Sequence, residues 1–497
     1  MMISAVNVLL PTILLTVFAL LSIPVFRFIR GKPRFSTVLS VLWLATIFVC
    51  VGISVADLSL RYFGQQQAFL TVALAGSNVP VSSSFLVDAV SVYMSQIIVI
   101  VSIVLCLFAV FHLGSEERLN PRYYALLLIV VGSVLGAVFS GDLLTLFIFW
   151  EASAVGSCFL IAYRRNRVSS GATLKYLVMI IIASSFIIYG LSLVYALTGS
   201  LNFWTVKAAL AGLENKGLLV VAAVFLASGY AIESAIVPFH MWLPDAYTAA
   251  PASSSAFLSA VVDQASYYVL LRVLVYILTP TTALNWTLML GVLSALTMVV
   301  GNLLALSQRN IKRLIANVCI ADVGYNLIAI TSFTPLGLAG NLYFFLTGGI
   351  TTALAFMVVG VFNSLGVNSL EDLSGYGRKM PFTSFALFVS AFSFSGIPPF
   401  AGFIAKFTVF TAAIEGGMAW LAVIGVVMSA LQTAYFLRLI NHMYAKPSQD
   451  TERIKEPRKQ LVPIYILLAA IFVLGLYPSI VFNQLGPAVE QIKLLMP

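Results

Sequence analysis

Apolar residues fill this chain in blocks of about twenty, separated by short polar stretches. A helix needs about 20 apolar residues to cross the hydrocarbon core of a bilayer. On that measure 14 candidate membrane spans lie near 5–27, 36–58, 86–111, 122–139, 142–163, 172–198, 217–239, 252–278, 284–305, 311–333, 338–364, 381–412, 417–443 and 461–481. The predicted fold class is all-α integral membrane. The longest hydrophilic segments, Gln65–Ser84 and Lys446–Lys459, are too short to fold alone. Asn202–Leu213, with Trp204 as an anchor, and the tail Gly486–Pro497 are expected to lie in the membrane interface. The N-terminal MMISAVNVLLPTILL lacks a basic region and a small-residue cleavage site, so it reads as the first membrane helix.

Two spans carry interruptions. Span 7 has Pro238 after Glu233, and span 12 has Gly396-Ile-Pro-Pro-Phe400 before Lys406. Proline frees backbone carbonyls that must find other partners, often at a cavity. If spans 4–8 and 9–13 are two five-helix repeats, Pro238 and the Pro398–Pro399 pair break the fourth helix of each. An odd helix count inverts the second copy, and paired breaks in inverted halves point to a transport site. The expected organisation is therefore 1–112 (spans 1–3), 113–280 (first repeat), 281–445 (second, inverted repeat) and 446–497 (loop, span 14 and tail).

Composition supports lipid as the solvent. Of 497 residues, 61% are hydrophobic and only 9% charged, with mean hydropathy +1.02. The net charge of +9 reads as membrane topology and not as nucleic-acid binding. The loops after odd-numbered spans hold Arg27, Arg30, Lys32 and Arg34; Arg118 and Arg122; Arg164, Arg165 and Arg167; Arg309, Lys312 and Arg313; Arg378 and Lys379; and the basic 446–459 stretch. The opposite loops hold little beyond Arg61, Lys207 and Lys216. The positive-inside rule then places both termini outside a prokaryotic cell membrane. Cys50, Cys106, Cys158 and Cys319 are scattered through apolar spans, with no metal spacing and no disulfide framework.

Five charged residues fall near mid-membrane: Glu151, Glu233, Asp263, Asp322 and Lys406. A charge at bilayer depth costs about 2.5–3.5 kcal/mol on insertion scales, and such residues commonly mark ion or proton paths. In a row with water between them, each would alter its neighbours' protonation electrostatically. Structural readings stand beside this one. Glu151 is also a candidate hydrogen bonder. Glu233 and Asp263 could pair through water or with Arg272, and Asp322 could cap local backbone groups. His240 fits proton uptake or a contact with the Trp242–Asp245 turn, and Lys175 fits the path or snorkelling to the cytoplasmic face. Walker, GxGxxG and HExxH motifs and cysteine clusters are absent from the sequence. No catalytic, cofactor-binding or metal residue is therefore assigned.

The chain resembles the antiporter-like subunits shared by respiratory complex I, Mrp-type Na⁺/H⁺ antiporters and membrane-bound hydrogenase or sulfur-reducing complexes. The resemblance rests on Gly141-Asp-Leu-Leu-Thr-Leu-Phe-Ile-Phe-Trp-Glu151, Lys175-Tyr-Leu, and Pro238-Phe-His-Met-Trp-Leu-Pro-Asp-Ala246 with Ala250-Pro251. It continues through Arg309-Asn-Ile-Lys-Arg-Leu-Ile-Ala316, Gly324-Tyr325, and Ser395-Gly-Ile-Pro-Pro-Phe-Ala-Gly-Phe403 with Lys406. It implies two inverted five-helix repeats about a polar axis of alternating acids and bases. It further implies an H⁺ path, with Na⁺ as second candidate, and other membrane subunits, antiporter-like ones among them, as partners. Redox centres such as iron–sulfur clusters would sit in those partners.

This sequence departs from the family pattern in its first half. Glu233 stands where span 7 usually has lysine, seven residues before His240. Gln264, beside Asp263, occupies the usual lysine position of span 8, Asp322 that of a frequent histidine, and Tyr247 that of a second histidine. Three acids about one path repel when all are ionised, so at least one is expected to hold a proton or a cation. The expected function is an ion-translocating subunit of a multi-subunit complex, the hydrogenase-like or sulfur-reducing setting being suggested by the altered axis. An Mrp antiporter subunit and a non-pumping scaffold are the alternatives.

Overall fold

A computed structural model describes residues 3–30, 36–65, 68–73, 83–113, 121–211, 217–279, 285–446 and 453–494. Lys32, Arg34, Arg118 and Lys216, parts of the 65–84 and 446–459 segments and the end of the tail lie outside the described residues. Spans 1 to 6 coincide with helices Ala5–Arg30, Ser36–Phe63, Ala89–His112, Pro121–Val138, Leu143–Ile161 and Arg167–Thr198. Spans 9, 10, 11, 13 and 14 coincide with Thr287–Ser307, Ile311–Ser332, Pro335–Ser364, Ala419–Tyr444 and Arg458–Leu476. Span 8, Ala252–Ile277, brings the helices long and apolar enough to cross a membrane to 12 among the described residues. Spans 7 and 12 are the broken ones. Their first parts are the shorter apolar helices Gly217–Glu233 and Pro381–Ser395, and they resume as Trp242–Ala249 and Ala401–Glu415.

The two breaks are built alike. Ala235 and Gly396 turn left-handed, at φ 51° and 71°. The next residue in each case, Ile236 or Ile397, sends its N–H back five positions, to Ala231 O at 2.9 Å and Phe392 O at 3.1 Å. This closure satisfies carbonyls that the helix end would leave orphaned. A proline at 238 and at 399 then prevents the helix from resuming at once. A second feature also recurs. The start of span 5 is bridged to the segment before span 7, through Leu143 N to Leu201 O (2.9 Å) and Phe203 N to Gly141 O (3.1 Å). The start of span 10 is bridged to the segment before span 12, through Ile311 N to Asn368 O (3.0 Å) and Leu370 N to Arg309 O (2.9 Å).

Burial sorts the spans into inner and outer sets. The most apolar window of span 10 is 100% buried and those of spans 8 and 11 are 94% buried, against 33% for spans 1, 6, 13 and 14. The outer spans present exposed Leu, Ile, Val and Phe, as expected of lipid-facing helices. Spans 9 and 10 approach closely because small residues face each other's backbone. A Cβ on Gly301 would lie 2.5 Å from Ala321 N, and one on Gly324 2.6 Å from Met298 N. The expected interfacial segment holds a short helix, Phe203–Ala211, with Trp204 against Phe69 and Tyr276. The tail forms Ser479–Lys493, which buries Leu485 and Ile492.

Two features were not expected. A hairpin pairs strand β1 (Leu70–Ala73) with β2 (Ser84–Val87) in a region read from sequence as plain loop. Beside it lies a fully buried ion pair. Arg272 donates two hydrogen bonds of 2.6 Å to Asp88, which also accepts from Tyr276 OH (2.7 Å) and from Ser91 N (2.8 Å) at the cap of span 3. Arg272 is thus committed to Asp88 and not to Glu233 or Asp263.

Candidate functional site

The inner helices bring the mid-membrane charges into one buried row. At one end Glu151, half-buried on span 5, accepts a hydrogen bond of 2.6 Å from Ser184 of span 6. Its neighbour Trp150 donates its indole N–H to Glu233. Glu233 is the last residue before the break in span 7, so the chain can leave the helix axis immediately after it. It is 5% exposed, and its second oxygen, Oε1, has no partner among the described residues. Leaving a buried acceptor unsatisfied costs about 1–3 kcal/mol, and more for a charged group. Glu151 and Glu233 interact electrostatically, with Tyr230 in reach of both.

The unpartnered oxygen faces a cavity shared with Asp263. Glu233, Asp263, Tyr176, Tyr247, Trp150 and Trp242 all line this small cavity of about 20 Å³. Trp242 donates at 3.0 Å to Ile232 O, a carbonyl at the helix break that also accepts from Ala235 N at 3.2 Å. Tyr176 interacts with both carboxylates. Tyr247, at one departure from the family pattern, shares this cavity with Asp263, at another. Span 8 changes register here. A π-helical turn, Leu258–Val262, runs directly into Asp263, and a second begins at Arg272. Such turns rotate the following side chains relative to a straight helix and are frequent at functional sites.

Tyr267 and Cys319 join the two halves, each interacting with both Asp263 and Asp322. Gln264 abuts Gly348 and Gly349 of span 11, and its Oε1 is buried without a partner among the described residues. Beyond it Asp322 and Lys406 line a second, smaller cavity of about 10 Å³, with Thr347, Gly348, Thr351 and Ser393. Asp322 Oδ1 is buried without a partner among the described residues, so this oxygen does not cap the local backbone. Lys406, 4% exposed, donates to Gln432 Oε1 (2.6 Å) and Ser429 Oγ (3.1 Å). Its ammonium lies 3.8 Å from the centre of the Tyr325 ring, a cation–π contact that offsets part of the burial cost. Lys406 is held where Gly402 lets the halves of span 12 cross. A Cβ at 402 would lie 1.8 Å from Ser393 O.

Two expected residues lie apart from the row. Lys175 has its side chain 65% exposed and pairs with Asp245 at 2.6 Å. Asp245 also binds Arg313 at 2.9 Å, so it ties span 6 to span 10 below the break. His240 is buried in the turn Phe239–Met241, and its Nδ1 has no partner among the described residues. The helix breaks at Pro238 and at Pro398–Pro399 flank the two cavities. Tyr230 and Tyr267 were missed in the sequence, and Tyr176, Tyr247 and Tyr325 entered only as motif positions. An aromatic in an apolar span reads as core, and only the carboxylates beside them single these out.

Residues 140–432 match the family described as NADH:quinone oxidoreductase/Mrp antiporter, TM. The NADH-quinone oxidoreductase subunit N of Herminiimonas arsenicoxydans is 30% identical over 479 residues, covering 93% of each chain. The F(420)H(2) dehydrogenase subunit N of Methanosarcina mazei is 29% identical over 460 residues, covering 88% of each. Among solved structures, a chain of the membrane-bound sulfane sulfur reductase, an archaeal respiratory membrane complex, superposes with TM-score 0.86 at 27% identity over 97% of both chains.

Proposed function

This chain belongs to the NADH:quinone oxidoreductase/Mrp antiporter membrane family, and from that premise we propose how it moves ions. It is a multi-pass, antiporter-like subunit that translocates protons within a membrane complex. The path runs from Glu151 through Glu233, Asp263 and Asp322 to Lys406. The observation that carries this reading is the placing of Glu233 and Asp263 on one cavity and of Asp322 and Lys406 on another, with Glu233 Oε1 and Asp322 Oδ1 left unpartnered among the described residues. The first cavity, at about 20 Å³, has room for a water between its carboxylates. A proton or cation arriving at one site acts on its neighbours directly. Lys175 serves the Asp245 clamp, while His240 stands at the cytoplasmic mouth of the first half.

The recurring break and the recurring bridge support two inverted repeats, spans 4–8 and 9–13. They share a local fold and no strong residue identity. The likeness to subunit N along nearly the whole chain favours a redox-driven complex over a stand-alone antiporter. Other antiporter-like subunits are its neighbours, and any iron–sulfur clusters sit in partners. The complex lies in a prokaryotic cell membrane, with both termini of this chain outside.

The acidic first half makes a second cargo testable. Hard carboxylate and phenol oxygens suit Na⁺ as well as H⁺. In vesicles bearing the assembled complex, Glu151→Gln and Asp263→Asn are expected to cut proton uptake severalfold. Unchanged uptake with intact assembly would reject both assignments. Loss of Na⁺ dependence in Glu233→Gln would identify sodium as a cargo of this half, and an unaltered Na⁺ response would leave protons alone.

A further inference from the structure

A cleft holding about 1070 Å³ of open space lies between the start of span 12 and the start of span 14, well away from the buried row. One side is the first turn of Pro381–Ser395, and the other is the segment that leads into Arg458–Leu476. The acid in that segment is already committed. Glu456 accepts from the N–H groups of Phe382 (3.0 Å) and Thr383 (2.8 Å) and from the Thr383 hydroxyl (2.6 Å). It therefore caps span 12, and its charge is taken up by that helix end. What remains toward the cleft is cationic. Arg453, Lys455 and Arg458 are exposed and form no ion pair among the described residues.

The outer wall is of the opposite kind. Phe382 is 60% and Val462 52% exposed, on the two helices that bound the cleft. Tyr465 bridges them by donating to Phe382 O at 3.3 Å. Three cations thus stand at the head of an apolar wall that continues into the exposed Phe385 and Ile466. A soluble anion has no use for that wall, and an acyl chain alone has none for the cations. Basic pockets between membrane helices on the cytoplasmic side suit anionic lipid headgroups.

We propose that this cleft is a binding site for one anionic phospholipid. The phosphate lies among Arg453, Lys455 and Arg458, and an acyl chain runs along Phe382 and Val462. The bound lipid braces the first part of the broken span 12, whose second part carries Lys406.

The test uses the purified complex containing the full chain, stripped of loosely bound lipid in detergent. Phosphatidylglycerol and phosphatidylcholine with the same acyl chains are titrated, and bound lipid is counted by native mass spectrometry. Each interfacial cation contributes roughly fivefold in affinity, so Arg453→Gln/Lys455→Gln/Arg458→Gln is expected to bind the tightest phosphatidylglycerol about 100-fold more weakly. Val462→Asp keeps the cations and spoils the wall. It is expected to lose the same lipid, and it reads the site even if the triple variant fails to assemble. Phosphatidylglycerol binding by both variants as tight as wild type overturns the proposal. So does equally tight phosphatidylcholine binding at this site, or displacement of the lipid by millimolar inorganic phosphate.

Discussion

The Asp88–Arg272 pair permits a stability prediction worked from its geometry. The two side chains are 0% and 1% exposed and share two contacts of 2.6 Å. Arg272→Met removes both contacts and leaves Asp88 with the Tyr276 hydroxyl, the Ser91 N–H and an uncompensated buried charge. Removing one partner of such a pair costs about 3–5 kcal/mol. Asp88→Asn strands the guanidinium instead and is expected to cost as much. The double variant buries no net charge, and replacing both partners of a buried pair is often near neutral. It should therefore cost about 1–2 kcal/mol, well below the sum of the singles. The assay is unfolding of the purified chain in mixed detergent micelles, followed by helical circular dichroism. A single variant within about 1 kcal/mol of wild type, or a double variant equal to the sum, would refute the reasoning. The pair matters beyond stability, because it fixes the outer end of span 8. Asp263 sits on that helix about 13 Å away.

Four smaller predictions follow from the same contacts. Gly396→Ala places a Cβ in a left-handed turn and 3.0 Å from Lys406 Cδ, so it should destabilise by about 1–2 kcal/mol. Ala235→Gly relieves the matching turn in span 7 and should raise the unfolding free energy by up to about 1 kcal/mol. Tyr267→Phe removes the phenol between Asp263 and Asp322, so proton uptake in vesicles should fall severalfold with assembly unchanged. In the 365–380 connection, hydrogen bonds from Ser369 and Asn368 N–H hold the Asp372 carboxyl below the ordinary carboxylate range. Its contribution is present at neutral pH and lost as pH falls through that lowered value. Asp372→Asn should cost below about 1 kcal/mol at pH 7, because the group is exposed, and nothing in strong acid.

Much of the scaffold was legible because lipid imposes a length and a composition on every crossing helix. The breaks were legible too, since proline after a long apolar run has few other meanings. The charged members of the row stood out because a carboxylate in such a run is costly. What the sequence concealed was partnership. Trp150 and Glu233 are 83 residues apart and Asp88 and Arg272 are 184 apart, so neither contact has a local signal. The π-helical turns of span 8 follow from packing between buried helices, and no residue in LSAVV announces one. Lys175 fitted either the path or snorkelling to the cytoplasmic face, and span 6 turns it outward to Asp245. Direction about a helix axis depends on neighbours that hydropathy does not name.

The central claim is that this chain itself passes protons, and Lys406 tests it most directly. It is buried, held by Gln432 and Ser429, and shares a cavity with Asp322. The measurement is protons moved per turnover by the assembled complex in sealed vesicles, wild type against Lys406→Ala, with subunit content verified. The path described predicts that this chain's share of the translocated protons is lost while the complex stays assembled. An unchanged proton yield per turnover from an intact Lys406→Ala complex would contradict it.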